Sequence, residues 1–249
     1  MIHRFSRTEL VVGPEGLLRL QHAHIAVLGI GGVGSYAVEA LARSGVGTIT
    51  LVDRDTVDIT NINRQIPALT STIGREKVEV MRERILDINP TCNVHTMHMF
   101  FLPETAERFF SHAYDYVIDA MDTVSAKIDL VSRCKERGIP LITSMGAANK
   151  IDPTRFTVMD LFDTSMDPIA RVMRRELRKK GIHCDVPVVC STEPPRLPRE
   201  DVRRAIVPQT LPENASRKAS NPPASIAFVP PVAGLILASV AIRAVAQLA

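Results

Sequence analysis

Three glycines and one aspartate have the types and the spacing of a nucleotide-binding site. Gly29, Gly31 and Gly34 follow an apolar run in G-x-G-x-x-G spacing, and Asp53 lies 19 residues beyond the last of them. Glycines at this spacing make a tight turn, let the backbone approach a phosphate and allow a helix to pack closely on a strand. The N–H groups at the helix start then face an anion, and the aspartate can accept the hydroxyl protons of a ribose. The pattern predicts an adenine nucleotide and leaves open whether it is NAD or ATP.

Two cations and a second carboxylate follow this pattern along the chain. Arg64 and Lys77 come after Asp53, and Asp122 comes at the end of a predicted strand. A glycine loop and a helix start can largely satisfy the pyrophosphate of NAD, whereas additional cations and a carboxylate suit a triphosphate with Mg²⁺. Two plainer roles stay open, because Lys77 could be an exposed surface lysine and Asp122 could be the N-cap of the next helix. These charges favour ATP with Mg²⁺ over NAD.

Alternating strands and helices are predicted to bring these groups to one edge of a sheet. Apolar runs predict strands at Ile25–Leu28, Ile49–Val52, Val94–Met99, Tyr114–Ala120 and Pro140–Ser144, with helices at 35–43, from Glu76, and at 123–137 between them. This alternation is typical of a parallel sheet. We therefore predict an α/β fold, a Rossmann-like and mostly parallel sheet with flanking helices, which binds its ligand at the carboxyl ends of the strands.

A single domain is predicted for residues 1–249. It would comprise an N-terminal helical arm (1–23, with a helix over 14–20), a nucleotide-binding core (24–150) and a C-terminal extension (151–249). The extension is predicted to hold a strand near 155–159, a basic helix near 167–181, a proline-rich loop at 193–231 and an apolar helix from Pro231. Polar residues recur every fourth position in the last helix, which favours a buried or subunit-contacting helix over a membrane anchor.

Charge and cysteine content limit the partners and the compartment. The net charge is only +3, but the span from Arg171 to Lys218 holds twelve basic and six acidic residues and so carries +6. A one-sided basic region suits a polyanion, although a solvated helix face and a charged loop explain it equally well. The four cysteines form no C-x-x-C pair, and no basic segment precedes an apolar run at the N-terminus. We therefore expect no zinc motif, no signal peptide and a cytoplasmic protein.

Four motifs resemble the ubiquitin-activating-enzyme-like (E1-like) adenylating superfamily, namely GIGGVG, LVDRDTVDITNINRQ, the G-x-x-K of Gly74–Lys77, and DAMD. Members activate a carboxylate by transferring AMP to it, and Arg4-Phe-Ser-Arg7 resembles their R-x-x-R, whose second arginine reaches the ATP of the neighbouring subunit. The resemblance implies a homodimer with phosphate-binding Arg7, Arg64 and Lys77, ribose-binding Asp53, Mg²⁺-binding Asp122, and Asn61 orienting phosphates. The implied catalytic residues are Arg7, Arg64, Lys77 and Asp122. The implied nucleotide-binding residues are Gly29, Gly31, Gly32, Gly34, Asp53, Asp55, Asn61, Arg64 and Lys77.

The second half of the chain resembles the bacterial tRNA threonylcarbamoyladenosine dehydratase subfamily, in SMGAANKIDPTRFTVMDLFDTSMDP, CSTEPP and SIAFVPPVAG. That resemblance implies a tRNA partner rather than DNA, and ATP-dependent cyclisation of the threonylcarbamoyl group. The implied tRNA-binding residues are Arg171, Arg174, Arg175, Arg178, Lys179 and Lys180. Activation of a ubiquitin-like sulfur carrier is disfavoured because the paired C-x-x-C motifs of those enzymes are missing. An NAD-binding oxidoreductase and a nucleotide-sensing module stay as alternatives, and sulfur-relay partners and a structural monovalent cation stay open.

Overall fold

The computed structural model describes residues 2–207 and 222–248, so part of the predicted proline-rich loop lies outside the described residues. The helices, in chain order, are α1 Ser6–His22, α2 Gly34–Arg43, α3 Lys77–Ile88, α4 Ala106–Phe109, α5 Val124–Arg137, α6 Pro168–Lys179, α7 Glu200–Ile206 and α8 Val229–Ala246. The strands are β1 His24–Leu28, β2 Thr48–Val52, β3 Asn93–Met97, β4 Tyr116–Asp119, β5 Leu141–Ser144, β6 Phe156–Asp160 and β7 Pro187–Ser191. Short 3₁₀ turns lie at Ile59–Asn61, Thr70–Thr72, Pro153–Arg155 and Leu161–Asp163.

The strands form one seven-stranded sheet in the order β3-β2-β1-β4-β5-β7-β6. All neighbouring strands are parallel except β6, which runs antiparallel to β7 at the edge. In the central register, Leu28 of β1 lies beside Val52 of β2 and beside Asp119 of β4. The carboxyl ends of three strands are therefore level, and the order of the chain reverses between β1 and β4, which is where such sheets bind ligands. The predicted mostly parallel α/β fold is confirmed.

Helices cover both faces of the sheet, which explains why its strands are continuous apolar runs. Ile25 and Val27 of β1 belong to a buried cluster with α2 and α8, where Leu237 and Ala238 are fully buried. Ala26 and Leu28 point to the other face and join α5 and α6 through Leu130, Val131 and Met173. The two clusters together cover both faces of the sheet around β1.

Three regions differ from their sequence-based predictions. Helix α1 begins at Ser6, ahead of the predicted start at Pro14, and its two halves meet at a kink at Gly13, whose backbone is not helical, with φ of 73°. Strand β7 was not predicted, and it inserts between β5 and the predicted strand β6. Helix α7 lies in the stretch predicted to be a loop.

Helix α8 is a core helix in this structure. It is long and apolar enough to cross a membrane, but half of it is buried inside the protein. A Cβ added at Gly234 would lie 2.1 Å from the carbonyl oxygen of Val33, which immediately precedes α2. The helix therefore packs against the glycine-rich turn itself, as the prediction of a buried helix requires.

A cluster of histidines lies at the amino end of the sheet. The ring centroids of His24, His95 and His112 are 5.0 to 6.0 Å apart, and His24 Nε2 lies 2.8 Å from Thr50 Oγ1. Burial, followed by the neighbouring His95 and His112, lowers the pKa of His24 to about 4, whereas a hydrogen bond with the Ala113 backbone and the charge of Asp115 oppose the shift. The folded protein therefore favours the neutral imidazole of His24.

We expect this cluster to make stability depend on pH. The folded pKa of His24 lies below the unfolded value of 6.5, so its stabilising contribution is complete above pH 6.5 and is lost as the pH falls towards 4. The loss should reach about 2 kcal/mol, because His24 is only partly buried. His24→Gln should flatten the fall in urea-unfolding free energy between pH 7 and 4.5, whereas exposed His183→Gln should not. Equal pH dependence in wild type and His24→Gln would contradict this assignment.

Candidate active site

In the glycine-rich turn between β1 and α2, Gly29, Gly32 and Gly34 are closely packed, and Gly31 is the open position. Gly29 has φ of +87°, and a Cβ there would lie 2.6 Å from the carbonyl oxygen of Ala120. A Cβ on Gly34 would lie 1.8 Å from the carbonyl oxygen of Gly29. A Cβ on Gly31 would meet only Gln65 Nε2, at 3.8 Å, among the described residues. The open position is the one at which a phosphate can approach the backbone.

Gly31→Ala is expected to lower the affinity for ATP about tenfold while the protein stays folded, because the added methyl fills space that a phosphate needs. Titration calorimetry with ATP, together with thermal unfolding, measures both quantities. Gly34→Ala is the comparison variant, since its Cβ collides with backbone and should cost about 3 kcal/mol of stability or more. Unchanged ATP affinity in Gly31→Ala would mean that the phosphates lie elsewhere.

Asp53 directly follows β2 and lies beside the glycine-rich turn. Its Oδ2 accepts a hydrogen bond from the Ile30 N–H at 2.6 Å, and its Oδ1 accepts one from the Asp55 N–H at 2.8 Å. These bonds fix the carboxylate between the turn and the following loop, and each oxygen keeps a further lone pair for a hydroxyl. The position suits the predicted ribose contact.

Lys77 is the first residue of α3 and is 4% exposed. Its Nζ lies 3.1 Å from Asp55 Oδ2, and its N–H donates to the Asp55 carbonyl oxygen. A buried ammonium at the positive end of a helix is unfavourable unless an anion compensates it. The plainer alternative of an exposed surface lysine is therefore wrong, and Asp55 is the partner that holds this cation inside.

Arg64 and Asn61 lie in the loop between β2 and α3. Arg64 is half-buried, donates from Nη1 to the Thr60 carbonyl oxygen at 2.9 Å and to Asn63 Oδ1 at 2.7 Å, and burial lowers its pKa. Asn61 Oδ1 accepts from the Asp58 N–H at 3.2 Å and completes the cap of a 3₁₀ turn. Asn61 thus shapes the loop, while the other three guanidinium N–H positions of Arg64 make no hydrogen bond within the described residues.

Asp122 is exposed and lies in the short loop between β4 and α5. Helix α5 begins at Val124 with Thr123 as its N-cap residue, so the alternative role of Asp122 as the N-cap is wrong. The Oδ1 of Asp122 lies 3.5 Å from Thr123 Oγ1. The carboxylate stands at the same sheet edge as Asp53, because Leu28 lies beside both Val52 and Asp119.

Sequence reasoning missed a buried network beneath Asp122. Lys127 is 1% exposed, and its Nζ lies 3.0 Å from Asp119 Oδ2, 3.0 Å from Thr143 Oγ1 and 2.8 Å from the Ser144 carbonyl oxygen. Asp119 Oδ1 also accepts from the Met121 N–H at 3.0 Å. The network ties β4, β5 and α5 together under the loop that carries Asp122. Its one sequence signal was a lysine on the apolar face of the predicted helix.

Arg7 lies far from these groups within its own chain. It is exposed near the start of α1, and it makes no hydrogen bond to any described residue. Its neighbour Arg4 donates to the Ile88 carbonyl oxygen at the end of α3, and Phe5 packs against Gly45 before β2. Both contacts lie at the amino-end edge of the sheet, opposite the glycine-rich turn. Within one chain the structure does not bring Arg7 to Lys77 and Asp122.

The basic helix α6 has one structural cation and several exposed ones. Arg174 is partly buried and donates from Nη1 to the carbonyl oxygen and to Oγ1 of Thr164. The Arg178 guanidinium lies 5.2 Å from the centre of the Phe162 ring. An open groove of about 480 Å³ follows the exposed side of this helix. The exposed members of the predicted set are Arg171, Arg175, Arg178, Lys179 and Lys180.

Comparison with known proteins adds a family and several relatives. Residues 5–249 match the model of the ThiF family. A Bacillus subtilis tRNA threonylcarbamoyladenosine dehydratase is 57% identical over 95% of this chain and 92% of its own length. The crystal structure of the Escherichia coli tRNA N6-threonylcarbamoyladenosine dehydratase with ATP superposes with a TM-score of 0.86 at 38% identity, covering 98% of this chain and 94% of that one. An adenylyltransferase and sulfurtransferase of Drosophila grimshawi is 35% identical over 61% of this chain but only 33% of its own length.

Proposed function

Since the chain belongs to the ThiF family, we propose that it is an ATP-dependent tRNA threonylcarbamoyladenosine dehydratase. The observation that carries this proposal is the similarity to enzymes of that name over nearly the full length of both chains. The similarity includes the second half, which a shared nucleotide-binding core alone would not explain. The sulfur-carrier alternative rests on a shorter match that leaves two thirds of the relative uncovered.

The reaction joins two substitutions. The carboxylate of N6-threonylcarbamoyladenosine attacks the α-phosphate of ATP, pyrophosphate leaves, and an acyl-adenylate forms. A carbamoyl nitrogen then attacks the activated carbonyl, the carbon–oxygen bond to AMP breaks, and the nitrogen loses its proton as the ring closes. AMP transfer is needed because an oxide is a poor leaving group from a carboxylate. Once the carboxylate oxygen is bonded to AMP, it leaves as part of a phosphate, which is a good leaving group.

The residues of the turn and the loops supply the charges for this transfer. Asp53 binds the ribose, while Lys77, Arg64 and the N–H groups near Gly31 face the triphosphate, with Asp55 compensating Lys77. Fixed cations aimed at developing negative charge commonly contribute a factor of 10² to 10³ in rate. The pair of Lys77 and Arg64 would therefore bear most of the charge stabilisation on the leaving pyrophosphate.

Asp122 is the residue that would hold Mg²⁺. Mg²⁺ is usually bound through one or two carboxylates together with substrate phosphates, and an exposed carboxylate at the carboxyl end of β4 fits that donor set. Within residues 2–207 and 222–248 no group of three histidine, cysteine or acidic residues could hold a metal without such phosphates. When bound, the ion would neutralise charge on the phosphates.

Arg7 acts on the site of a second copy in a homodimer. This assignment is supported by its place at the sheet edge opposite its own glycine-rich turn. Helix α1 also exposes Leu10 and Val11, 86% and 77% exposed, which would be unfavourable unless another surface covers them. The dimer would make each site from two chains.

A direct ring closure requires no thioester, and the cysteines support this route. Cys92, Cys134 and Cys190 are buried, and burial raises their pKa values to about 11, about 12 and about 11. Thiols in that range are scarcely ionised near pH 7 and are poor nucleophiles. Exposed Cys184 has a raised pKa because it donates to Asp185.

Three further expectations stay predictions, namely a cytoplasmic location, a sulfur-relay partner and a structural monovalent cation.

The exposed side of α6 is proposed to bind tRNA phosphates. Replacing Arg171, Arg175 and Lys179 together by glutamate should weaken tRNA binding more than tenfold and reduce the salt dependence by about 2 in log affinity against log salt, while ATP affinity stays unchanged. Filter binding at several salt concentrations measures this. Arg174 is excluded from the set because its bonds to Thr164 are structural.

The control for this variant carries the same charge change on the α2–α3 side of the sheet. Its substitutions are Arg43→Glu, Arg75→Glu and Arg82→Glu, all at exposed positions. Equal loss of tRNA affinity in both variants would mean that the net charge of the protein, and not the position of the charges, causes the loss. That result would contradict a binding surface on α6.

Nucleoside analysis tests the proposed function itself. The wild-type protein is incubated with ATP, Mg²⁺ and bulk tRNA. The tRNA is then digested to nucleosides, which are separated and analysed by mass spectrometry. We expect N6-threonylcarbamoyladenosine to lose the mass of water only when ATP is present. Adenylate formation that requires a ubiquitin-like protein instead of tRNA would overturn the proposal.

A further inference from the structure

Asn149 follows β5 and has a left-handed backbone conformation, with φ of 61°. Asparagine tolerates this conformation better than most residues, whereas most side chains are strained there. Its N–H donates to the Ala224 carbonyl oxygen at 2.8 Å, and its Oδ1 accepts from the Ala224 N–H at 2.8 Å. The two bonds clamp one residue of the segment 222–228 from both sides.

Segment 222–228 reaches from Asn149 to the nucleotide loop. The Ser225 carbonyl oxygen accepts a hydrogen bond from Asn63 Nδ2 at 3.1 Å, and Asn63 is the neighbour and hydrogen-bond partner of Arg64. Just beyond the segment, Pro230 Cβ would lie 3.2 Å from a Cβ on Gly32. The segment therefore crosses the carboxyl-end edge of the sheet, from the end of β5 to the glycine-rich turn.

The clamp itself is held on a rigid base. Lys150 is buried, and its Nζ donates to the Glu193 carbonyl oxygen at 2.6 Å. The Glu193 carboxylate accepts from the N–H groups of Ile151 and Asp152 at 3.0 and 2.9 Å. The Asn149 carbonyl oxygen accepts from the Arg196 N–H at 2.7 Å. Residues 193–196 thus hold Asn149 and the residues that follow it, so segment 222–228 is attached to a fixed point of the structure.

The position and chemistry of the segment indicate a role towards the substrate carboxylate. Segment 222–228, PPASIAF, carries no charged residue, so it does not compete with Arg64 and Lys77 for the triphosphate. It flanks the space above the glycine-rich turn and beside the end of β5, which is the side of the site that Asp53 and the ribose do not occupy. The segment is thus available to contact an acyl group that approaches the glycine-rich turn from the β5 side.

We propose that Asn149 is a positioning residue that holds segment 222–228 as the substrate-side wall of the adenylation site, where it aligns the RNA-borne carboxylate with the α-phosphate. The inference rests on the proposed function, because it takes the carboxylate to be carried on RNA. Asn149 acts through the segment and touches neither ATP nor the carboxylate.

Asn149→Gly and Asn149→Asp separate the clamp from the backbone conformation. Glycine accepts the left-handed conformation but lacks the Oδ1 acceptor, whereas aspartate keeps an acceptor oxygen. We expect Asn149→Gly to raise the KM for tRNA, or lower kcat, by about five- to tenfold at unchanged ATP affinity, because one hydrogen bond is lost. Asn149→Asp should restore at least half of the wild-type kcat/KM for tRNA. ATP affinity and thermal unfolding are measured on the same samples.

Ala224→Pro provides an independent variant, because it removes the donor of the same hydrogen bond from the other side. The double variant Asn149→Gly/Ala224→Pro should have a kcat/KM for tRNA no lower than that of the less active single variant, because both substitutions break the same hydrogen bond. Unchanged tRNA kinetics in Asn149→Gly, or a loss of activity that parallels losses of ATP affinity and thermal stability, would overturn the inference. Failure of the wild type to cyclise the nucleoside would instead overturn the proposed function.

Discussion

Lys77→Met is expected to slow adenylate formation by about 10²- to 10³-fold while leaving the protein as stable as the wild type. The loss follows from the proposed role of Lys77 as a buried, fixed cation towards the triphosphate, since such a charge acts in a site with little water to screen it. Stability should be kept because Lys77 lies at the positive end of α3, where methionine is at least as favourable. Its partner Asp55 is half exposed and can be solvated by water when the cation is gone.

Tests of Lys77→Met need both a rate and a melting temperature. ATP–pyrophosphate exchange in the presence of tRNA gives the rate, and thermal unfolding gives the stability. Arg82→Met is the matched control on the same helix, because its guanidinium is exposed and lies 3.6 Å from Glu79. A rate within threefold of the control would mean that Lys77 does not serve the phosphates. A large fall in melting temperature would instead make Lys77 a structural residue.

Two inactive variants should recover activity when they are mixed. Arg7→Ala and Asp122→Asn are each expected to lose at least 10²-fold in turnover, since each removes a charge from the reacting phosphates. In an equal mixture of exchanging dimers, half of the dimers are hybrids, and each hybrid has one site with both native residues. About a quarter of all sites should therefore regain wild-type activity.

The mixing experiment requires proof that subunits exchange. Differently tagged variants can be mixed, incubated and purified through one tag, and the second tag then reports the hybrid. Mixing two batches of Asp122→Asn serves as the control, because it offers no native site. A hybrid as inactive as both parents would place Arg7 outside the neighbouring site, and a monomer at working concentration would do the same.

Local sequence pattern correctly predicted the part of the fold that depends on contacts between residues close in sequence. The stretch from His24 to Asp53 was predicted as strand, glycine turn, helix and strand, and β1, α2 and β2 confirm this order within one or two residues. The close contact of Gly34 with Gly29 explains why the turn requires glycine at position 34.

Contacts between distant parts of the chain could not be predicted in this way. Strand β7 was missed because it pairs with β5, from which β6 and α6 separate it along the chain. The buried charge of Lys127 depends on acceptors from β4 and β5, and the left-handed conformation of Asn149 depends on the segment that it clamps. Only tertiary structure determines such sites.

The contact between α8 and the glycine-rich turn has a consequence for how the protein becomes active during synthesis. Gly234 approaches Val33, and Pro230 approaches Gly32, across about 200 residues of intervening chain. A nascent chain can form β1, α2 and β2 early, but the turn lacks its packing partner until α8 has left the ribosome. The ability to bind ATP should thus arise in one late step of synthesis. A chain interrupted before residue 229 should be degraded by proteases rather than act as a partial enzyme.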